Sequence, residues 1–170
     1  AKRAGRDRVH RAGHTTGPLG SVAQGSEVRQ RVMDGFVTLL RTADPALDQQ
    51  SQRAVARAEA LANAHDLPVH SLEVLLTASR LLPLRALTGG GTEALEAALA
   101  ATGVLAQEGR LIGQAAHATP ASPVAVRILA VVAGALAYPT AAQAVDALRQ
   151  PAGSAYDAAM TDALGALEGL

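Results

Sequence analysis

Cysteine is absent from the 170 residues, which excludes disulfides, thiolate metal sites and cysteine nucleophiles. Tryptophan is also absent, and one Phe and two Tyr leave little aromatic surface for stacking on nucleic-acid bases. The only lysine is Lys2, so a phosphate-binding loop of the G-x-x-x-x-G-K-S/T type cannot form. No apolar run reaches the roughly 18 residues of a membrane span. The best candidate is the stretch 128–138, which ends at Pro139.

The chain is rich in small apolar side chains instead. Hydrophobic residues make up 49% and charged residues 18% of the sequence, a balance typical of a globular domain. Most of the apolar residues are Ala, Leu and Val, and Ala has the highest helix propensity of all residues. The composition therefore predicts an all-α domain.

The hydrophobic periodicity and the turn residues predict about eight short helices. We expect them at residues 26–42, 48–64, 71–82, 92–103, 104–116, 122–138, 140–149 and 154–164. Four of these starts carry a hydroxyl that can accept a hydrogen bond from an early backbone N–H: Ser26, Ser71, Thr92 and Thr140. The start at Ser122-Pro123 adds a proline at the first helical position. The helix that follows is apolar nearly all round, so we expect it at the centre of the core.

Glycines and apolar spacing refine this prediction. The first helix carries its apolar residues on one face, which we expect to pack inward: Val28, Val32, Phe36, Leu39 and Leu40. The three glycines at 89–91 predict a flexible connection. Gly109 and Gly113 should weaken the helix at 104–116.

The N-terminal residues differ in composition from the rest. Residues 1–25 are rich in Arg, Gly, His and Thr without a sustained apolar period, which predicts a basic flexible arm before a single domain at 26–170. Five basic residues oppose one acidic residue at the start of this arm: Lys2, Arg3, Arg6, Arg8 and Arg11. These five are candidate partner-binding residues. They can contact nucleic-acid phosphates, but the absence of interleaved aromatic residues favours a protein partner.

The sequence carries no pattern typical of catalysis or metal binding. The five histidines lie in the arm or beside predicted turns and do not form a ligand set: His10, His14, His65, His70 and His117. The acidic pairs Glu93/Glu96 and Asp157/Asp162 are typical of exposed helix faces. We therefore expect no enzymatic activity, no cofactor and no metal. The basic N-terminus lacks the apolar core of a secretory signal, so we expect a cytoplasmic protein without a membrane partner. The oligomeric state is left open.

Two stretches share a layout. Residues 51–76, SQRAVARAEALANAHDLPVHSLEVLL, predict a helix, a turn at 65–70 and a second helix. A looser copy occupies residues 122–148, SPVAVRILAVVAGALAYPTAAQAVDAL. At these two units the chain resembles the N-terminal domain of Clp-type AAA+ unfoldases, over about residues 48–170. That family folds as two tandem helical repeats related by a pseudo-twofold axis.

The resemblance implies repeats at about 48–117 and 122–170, and the alternative is a single irregular helical bundle. It also implies partner binding at the starts of the Leu-rich helices, at Ser71, Leu72, Glu73, Thr140 and Ala141. The family has a Glu-His pair there, and its acid helps to bind phosphorylated arginine. This sequence has Leu72-Glu73 and Ala141-Ala142 instead, so the resemblance does not carry that activity over.

The resemblance thus implies a recognition domain without a motor. We expect a non-catalytic module that binds protein or peptide partners as an adaptor, decoy or regulator. The alternative is a structural or assembly subunit of a larger complex, whose basic arm docks on protein or nucleic acid.

Overall fold

The computed structural model describes residues 18–149 and 156–167, with side chains from Gly25 onward in the first helix. Within these ranges the chain forms helices and no strand, which confirms the all-α prediction. The helices are α1 (Pro18–Ala43), α2 (Pro45–Asn63), α3 (Val69–Leu81), α4 (Gly91–Ala101), α5 (Ala106–Ala115), α6 (Val124–Gly134), α7 (Ala141–Leu148) and α8 (Ala158–Gly165). Two short 3-10 turns, Leu82–Ala86 and Ala135–Ala137, extend α3 and α6.

Helix α6 lies at the centre of the core, as its apolar sequence predicts. It packs against α2, α3, α5, α7 and α8. Ile128, Leu129 and Val131 are completely buried on it. Burial of apolar surface is favourable, so a helix that is apolar on most of its surface is most stable when neighbours cover all its sides. The other helices are therefore arranged around α6.

The predicted helix–turn–helix at 51–76 is present as α2 and α3. Asp44 accepts a hydrogen bond from the backbone N–H of Ala46 at 2.8 Å and caps α2, and Pro45 occupies the first helical position. After α2, Asp66 takes a φ of 48° and reverses the chain. Aspartate and asparagine tolerate this left-handed conformation better than most residues do. Helices α2 and α3 then pack against each other.

The cap predictions are confirmed at one helix and wrong at the others. Thr140 accepts a hydrogen bond from the N–H of Gln143 at 3.2 Å and caps α7. The Ser71 prediction is wrong, because α3 begins directly after Pro68, two residues before Ser71. Proline fixes φ near the value that a helix start needs, so the helix begins directly after Pro68, earlier in the chain than predicted. The Thr92 prediction is wrong because α4 already begins at Gly91, before the threonine.

A serine is also misassigned at the start of α6. Pro123 precedes the first helical residue rather than being it, so the predicted start is displaced by one position. The hydroxyl of Ser122 instead accepts a hydrogen bond from the N–H of Thr119 at 3.0 Å. It therefore stabilises the turn before α6 and not the helix itself.

Helix α1 differs most from its prediction. It begins at Pro18 and not at Ser26, so residues 18–25 are helical, while residues 1–17 of the predicted arm lie outside the described residues. Its predicted inward face is only partly buried. Leu40 is fully buried and packs in the core, but Val28 and Leu39 are 46% and 45% exposed. The prediction is wrong for these two residues because α1 packs mainly against one neighbour, α2, which covers a narrow stripe.

Helices α4 and α5 form a close pair, and the glycines of α5 explain it. A Cβ at Gly109 would lie 3.0 Å from the backbone oxygen of Glu96 and 3.3 Å from Cβ of Leu99. The missing side chain thus allows the backbones to approach closely. Gly103, the last residue of the helix predicted at 92–103, takes a φ of 73° in the connection between the two helices, a conformation that favours glycine after a helix end. The glycines of α5 therefore set helix packing and do not interrupt the helix.

None of the described helices has both the length and the apolar composition of a membrane span. Among the described residues, one pair of segments has this length and composition when the two are taken together, Val124–Ala137 and Ala141–Leu148, but the chain bends by 109° between them.

Candidate functional site

Three adjoining cavities surround the C-terminal half of α5 and form what we call the α5 groove. The first, the Arg85 cavity, has a volume of about 370 Å³ and includes Arg85, Thr92, Ala116, Ala133, Gly134 and Tyr156 in its lining. The second, the Glu96 cavity, measures about 400 Å³ and shares Thr92 and Ala116 with the first. The third, the Pro123 cavity, measures about 450 Å³ and shares Glu96, Gly113 and His117 with the second. The shared residues place the three cavities next to one another along α5.

Glycines shape the floor of this groove. A Cβ at Gly113 would overlap the carboxylate of Glu96, so this carboxylate lies directly on the α5 backbone. At Gly134 of α6, a Cβ would come within 2.7 Å of the Tyr156 hydroxyl oxygen and of the Leu148 side chain. Both polar side chains are seated where a glycine leaves room for them. The two glycines therefore determine where an acid and a phenol border the groove.

The Arg85 cavity has one cationic group and two hydroxyls. Arg85 belongs to the 3-10 turn after α3 and is half-buried. Its Nη2 donates to the backbone oxygen of Ala133 at 3.5 Å, which is at the long limit for a hydrogen bond. Among the described residues no carboxylate lies within ion-pair distance of this guanidinium. Most of its five N–H donors are thus left for solvent or a ligand.

The Glu96 cavity has the opposite charge. Glu93 and Glu96 both line it, together with His117 at the end of α5. Neither glutamate makes an ion pair with a described residue. Across residues 18–149 and 156–167, no group of three or more His, Asp or Glu is arranged to hold a metal ion. The groove is therefore electrically polarised, with a cation in its first cavity and carboxylates in the next.

An ion pair at the start of α8 fixes the position of Tyr156, which forms one wall of the Arg85 cavity. Asp157 is hydrogen-bonded to the guanidinium of Arg127 on α6 and caps α8 by accepting from the N–H groups of Ala159 and Met160. Burial alone would raise the pKa of Asp157, but the bonds from Met160 and Arg127 outweigh it and hold the pKa below its ordinary value. Tyr156, the preceding residue, is thereby held beside α6.

The partner-binding residues predicted from the resemblance lie on two separate helices outside the groove. Ser71, Leu72 and Glu73 are in the first turns of α3, where Leu72 packs partly against the core and Glu73 is exposed. Thr140 uses its hydroxyl as the α7 cap, and Ala141 is buried. The basic residues Lys2, Arg3, Arg6, Arg8 and Arg11 lie outside the described residues.

A buried arginine explains why the start of α7 is fixed. Arg57 of α2 is only 8% exposed and donates to the backbone oxygens of Ala135 at 2.7 Å and Tyr138 at 2.9 Å. A longer bond of 3.3 Å reaches the oxygen of Pro139. Burial, followed by the nearby charge of Arg53, lowers the pKa of Arg57. Arg57 therefore satisfies the carbonyls at the end of α6 and ties the α6–α7 corner to α2.

Sequence reasoning missed Arg85, Tyr156 and the groove that they border. The available signal was the pair Gly113 and Gly134, two glycines inside helical patterns, because such positions often mark close approach of another group. From the sequence alone, Gly113 indicates only a weak point of a helix.

Comparison of the chain with protein-family models, with curated proteins and with solved structures finds no match. The class of this protein is therefore defined only by its fold and its site: it is an all-α protein with a polarised surface groove.

Proposed function

We propose that the chain is a non-catalytic interaction module that binds an extended peptide segment of a protein partner in the α5 groove. The observation that carries this proposal is the row of three cavities joined by shared lining residues. Each volume lies within the roughly 300–1,000 Å³ of ordinary ligand pockets. A row of such pockets suits successive side chains of one extended chain.

The lining of the groove supports a peptide over a compact apolar ligand. Its floor includes the small, exposed residue Ala116, beside which a ligand backbone can approach closely, whereas the space at Gly113 and Gly134 is filled by Glu96 and by Tyr156. Its rim offers hydroxyl, carboxylate and guanidinium groups that can pair with peptide N–H and C=O groups. An extended peptide needs many such partners because it brings its own unpaired backbone groups.

This proposal keeps the adaptor, decoy or regulator roles that the Clp resemblance implies, but assigns binding to a different surface. The start of α7 offers less for a partner, since Thr140 is engaged in its cap and Ala141 is buried. The two-repeat relation and the cytoplasmic location stay predictions from the sequence.

The test is a selection of random linear peptides, displayed on phage, on the immobilised full chain. Enriched peptides are then synthesised with a fluorophore and titrated against wild type and Ala116→Trp. Ala116 is exposed and borders two of the three cavities, so an indole there occupies the groove without entering the core. We expect the affinity for Ala116→Trp to fall by about tenfold or more.

The matched control is Ala142→Trp, which adds the same indole at an exposed position of α7. This position also belongs to the second predicted repeat, so the control tests the rival surface. We expect Ala142→Trp to bind like wild type. Peptides that lose affinity only for Ala142→Trp would move the site to the start of α7, and a selection that enriches no groove-dependent peptide would refute the proposal.

A further inference from the structure

We infer that the Arg85 cavity receives a carboxylate of the bound peptide, and that the Glu93 and Glu96 side chains next to it receive a basic residue of the same peptide. The inference rests on the proposed function and adds a specificity to it. The module would select segments in which an acidic group and a basic residue lie close together, in either order.

The first step is the state of Arg85. A half-buried guanidinium loses part of its hydration. Among the described residues, Arg85 replaces that hydration with only one long hydrogen bond, which its Nη2 donates to the backbone oxygen of Ala133 at 3.5 Å. Two other arginines that reach into the protein are better satisfied: Arg57 bonds three carbonyls, and Arg127 is paired with Asp157. Arg85 is the guanidinium that lines the groove, and an added acceptor there gains charge-assisted hydrogen bonds.

The second step is the charge of the acceptor. One guanidinium with the neutral hydroxyls of Thr92 and Tyr156 matches a single negative charge. A phosphate at neutral pH carries between one and two charges. The neighbouring carboxylates of Glu93 and Glu96 would repel that additional charge. A planar carboxylate also fits the paired N–H donors of an arginine, which can bind both of its oxygens.

The third step is the cation. Glu93 and Glu96 lie three residues apart on α4, so their side chains are neighbours on one helix face. The position of Glu96 is fixed, because its carboxylate rests on Gly113. Two adjacent carboxylates without a described cationic partner repel each other, and a lysine or arginine of the ligand relieves this repulsion. Since the Arg85 and Glu96 cavities share Thr92 and Ala116, one short segment can span both.

The experiment uses the peptides that depend on the groove, namely those that lose affinity for Ala116→Trp. Each is remade with its acidic residue changed to the amide, with its C-terminus amidated, and with its basic residue changed to glutamine. These forms are titrated against wild type, Arg85→Gln, Arg85→Lys and Glu96→Gln. Arg80→Gln is the matched control, because it removes the same charge from an exposed position outside the groove. Thermal unfolding of each variant checks that it is folded.

We expect Arg85→Gln to weaken binding by about 10- to 100-fold, the usual effect of a lost hydrogen bond to a charged group. Removing the peptide carboxylate should have the same effect, and combining both changes should add little. Arg85→Lys should retain part of the affinity, and Arg80→Gln should bind like wild type. The amide form that loses affinity identifies whether the internal acid or the C-terminal carboxylate of the peptide binds Arg85. Glu96→Gln and the removal of the basic residue from the peptide should likewise each weaken binding, and combining these two changes should add little.

Peptides that depend on the groove but bind Arg85→Gln as tightly as wild type would overturn the inference and leave the proposed function intact. Displacement of the peptide by inorganic phosphate at lower concentrations than acetate would make the cavity a phosphate site and overturn the carboxylate assignment. A selection without any groove-dependent peptide refutes the proposed function itself, so the two failures are distinguishable.

Discussion

The ion pair between Arg29 and Glu108 gives the sharpest stability prediction. Glu108 of α5 is completely buried, and its Oε1 accepts a hydrogen bond from Nη2 of Arg29 at 2.5 Å. Arg29 also donates to the backbone oxygen of Val104 at 3.0 Å. The second carboxylate oxygen of Glu108 is buried without a partner among the described residues. The Arg29 guanidinium therefore attaches helix α1 to α5, and it also compensates the buried negative charge of Glu108.

The change Arg29→Met removes that guanidinium and leaves the carboxylate uncompensated. Breaking a buried pair in this way costs about 3–5 kcal/mol. The Arg29 side chain is 36% exposed, so water can partly replace it. We therefore expect the lower end, a loss of about 3 kcal/mol in the free energy of unfolding. The double variant Arg29→Met/Glu108→Leu replaces both charges by apolar groups and should lie within about 1 kcal/mol of wild type.

Urea unfolding followed by far-UV circular dichroism measures these differences, since the helices dominate the signal. Hydrogen exchange supplies a local readout: in Arg29→Met, the amides of α1 should exchange faster, while those of α6 change only with global stability. If Arg29→Met costs less than about 0.5 kcal/mol, or if the double variant is the least stable of the set, the reasoning about the buried charge is wrong.

Three further outcomes are expected. Asp157→Asn should cost about 1–2 kcal/mol at neutral pH. The Asp157 pKa lies below its ordinary 3.8 in the folded chain, so this contribution is present above that value and disappears as the pH falls through the folded-state pKa. A wild-type-to-variant gap in urea unfolding that stays constant in acid contradicts this. Thr140→Ala should cost about 1 kcal/mol as a lost cap, whereas Ser71→Ala should change stability by less than about 0.5 kcal/mol in the same assay. Deletion of residues 1–17 should leave groove-peptide affinity unchanged and make no difference in a salt titration with a DNA probe. A salt-dependent loss on deletion would favour the assembly-subunit alternative.

The helical class and the central helix could be predicted because they depend on local composition. The near-continuous apolar sequence of α6 already indicates burial on all sides, and Pro45, Pro68 and Pro139 locate three interruptions of the helices. The exact starts failed where two local signals competed. Pro68 and Ser71 both indicate a helix start, and only the structure shows that the proline prevails.

The groove could not be predicted in this way, because it depends on distant segments. Arg85 and Ala133 lie 48 positions apart, and Tyr156 comes from yet another element. Such a site has no spacing rule within one helix. Its only local traces are Gly113 and Gly134, and glycine in a helix indicates close approach without telling what approaches.

The seating of Tyr156 on Gly134 has a consequence for how the groove can diverge between related sequences. The charged groups of the groove all lie between Arg85 and His117, whereas this wall belongs to the segment before α8. Replacing Tyr156 by a smaller or larger residue therefore alters the width of the first cavity without changing the order of charges. Substitutions at Tyr156 during evolution can thus change the width of this cavity while the charged groups of the groove keep their order.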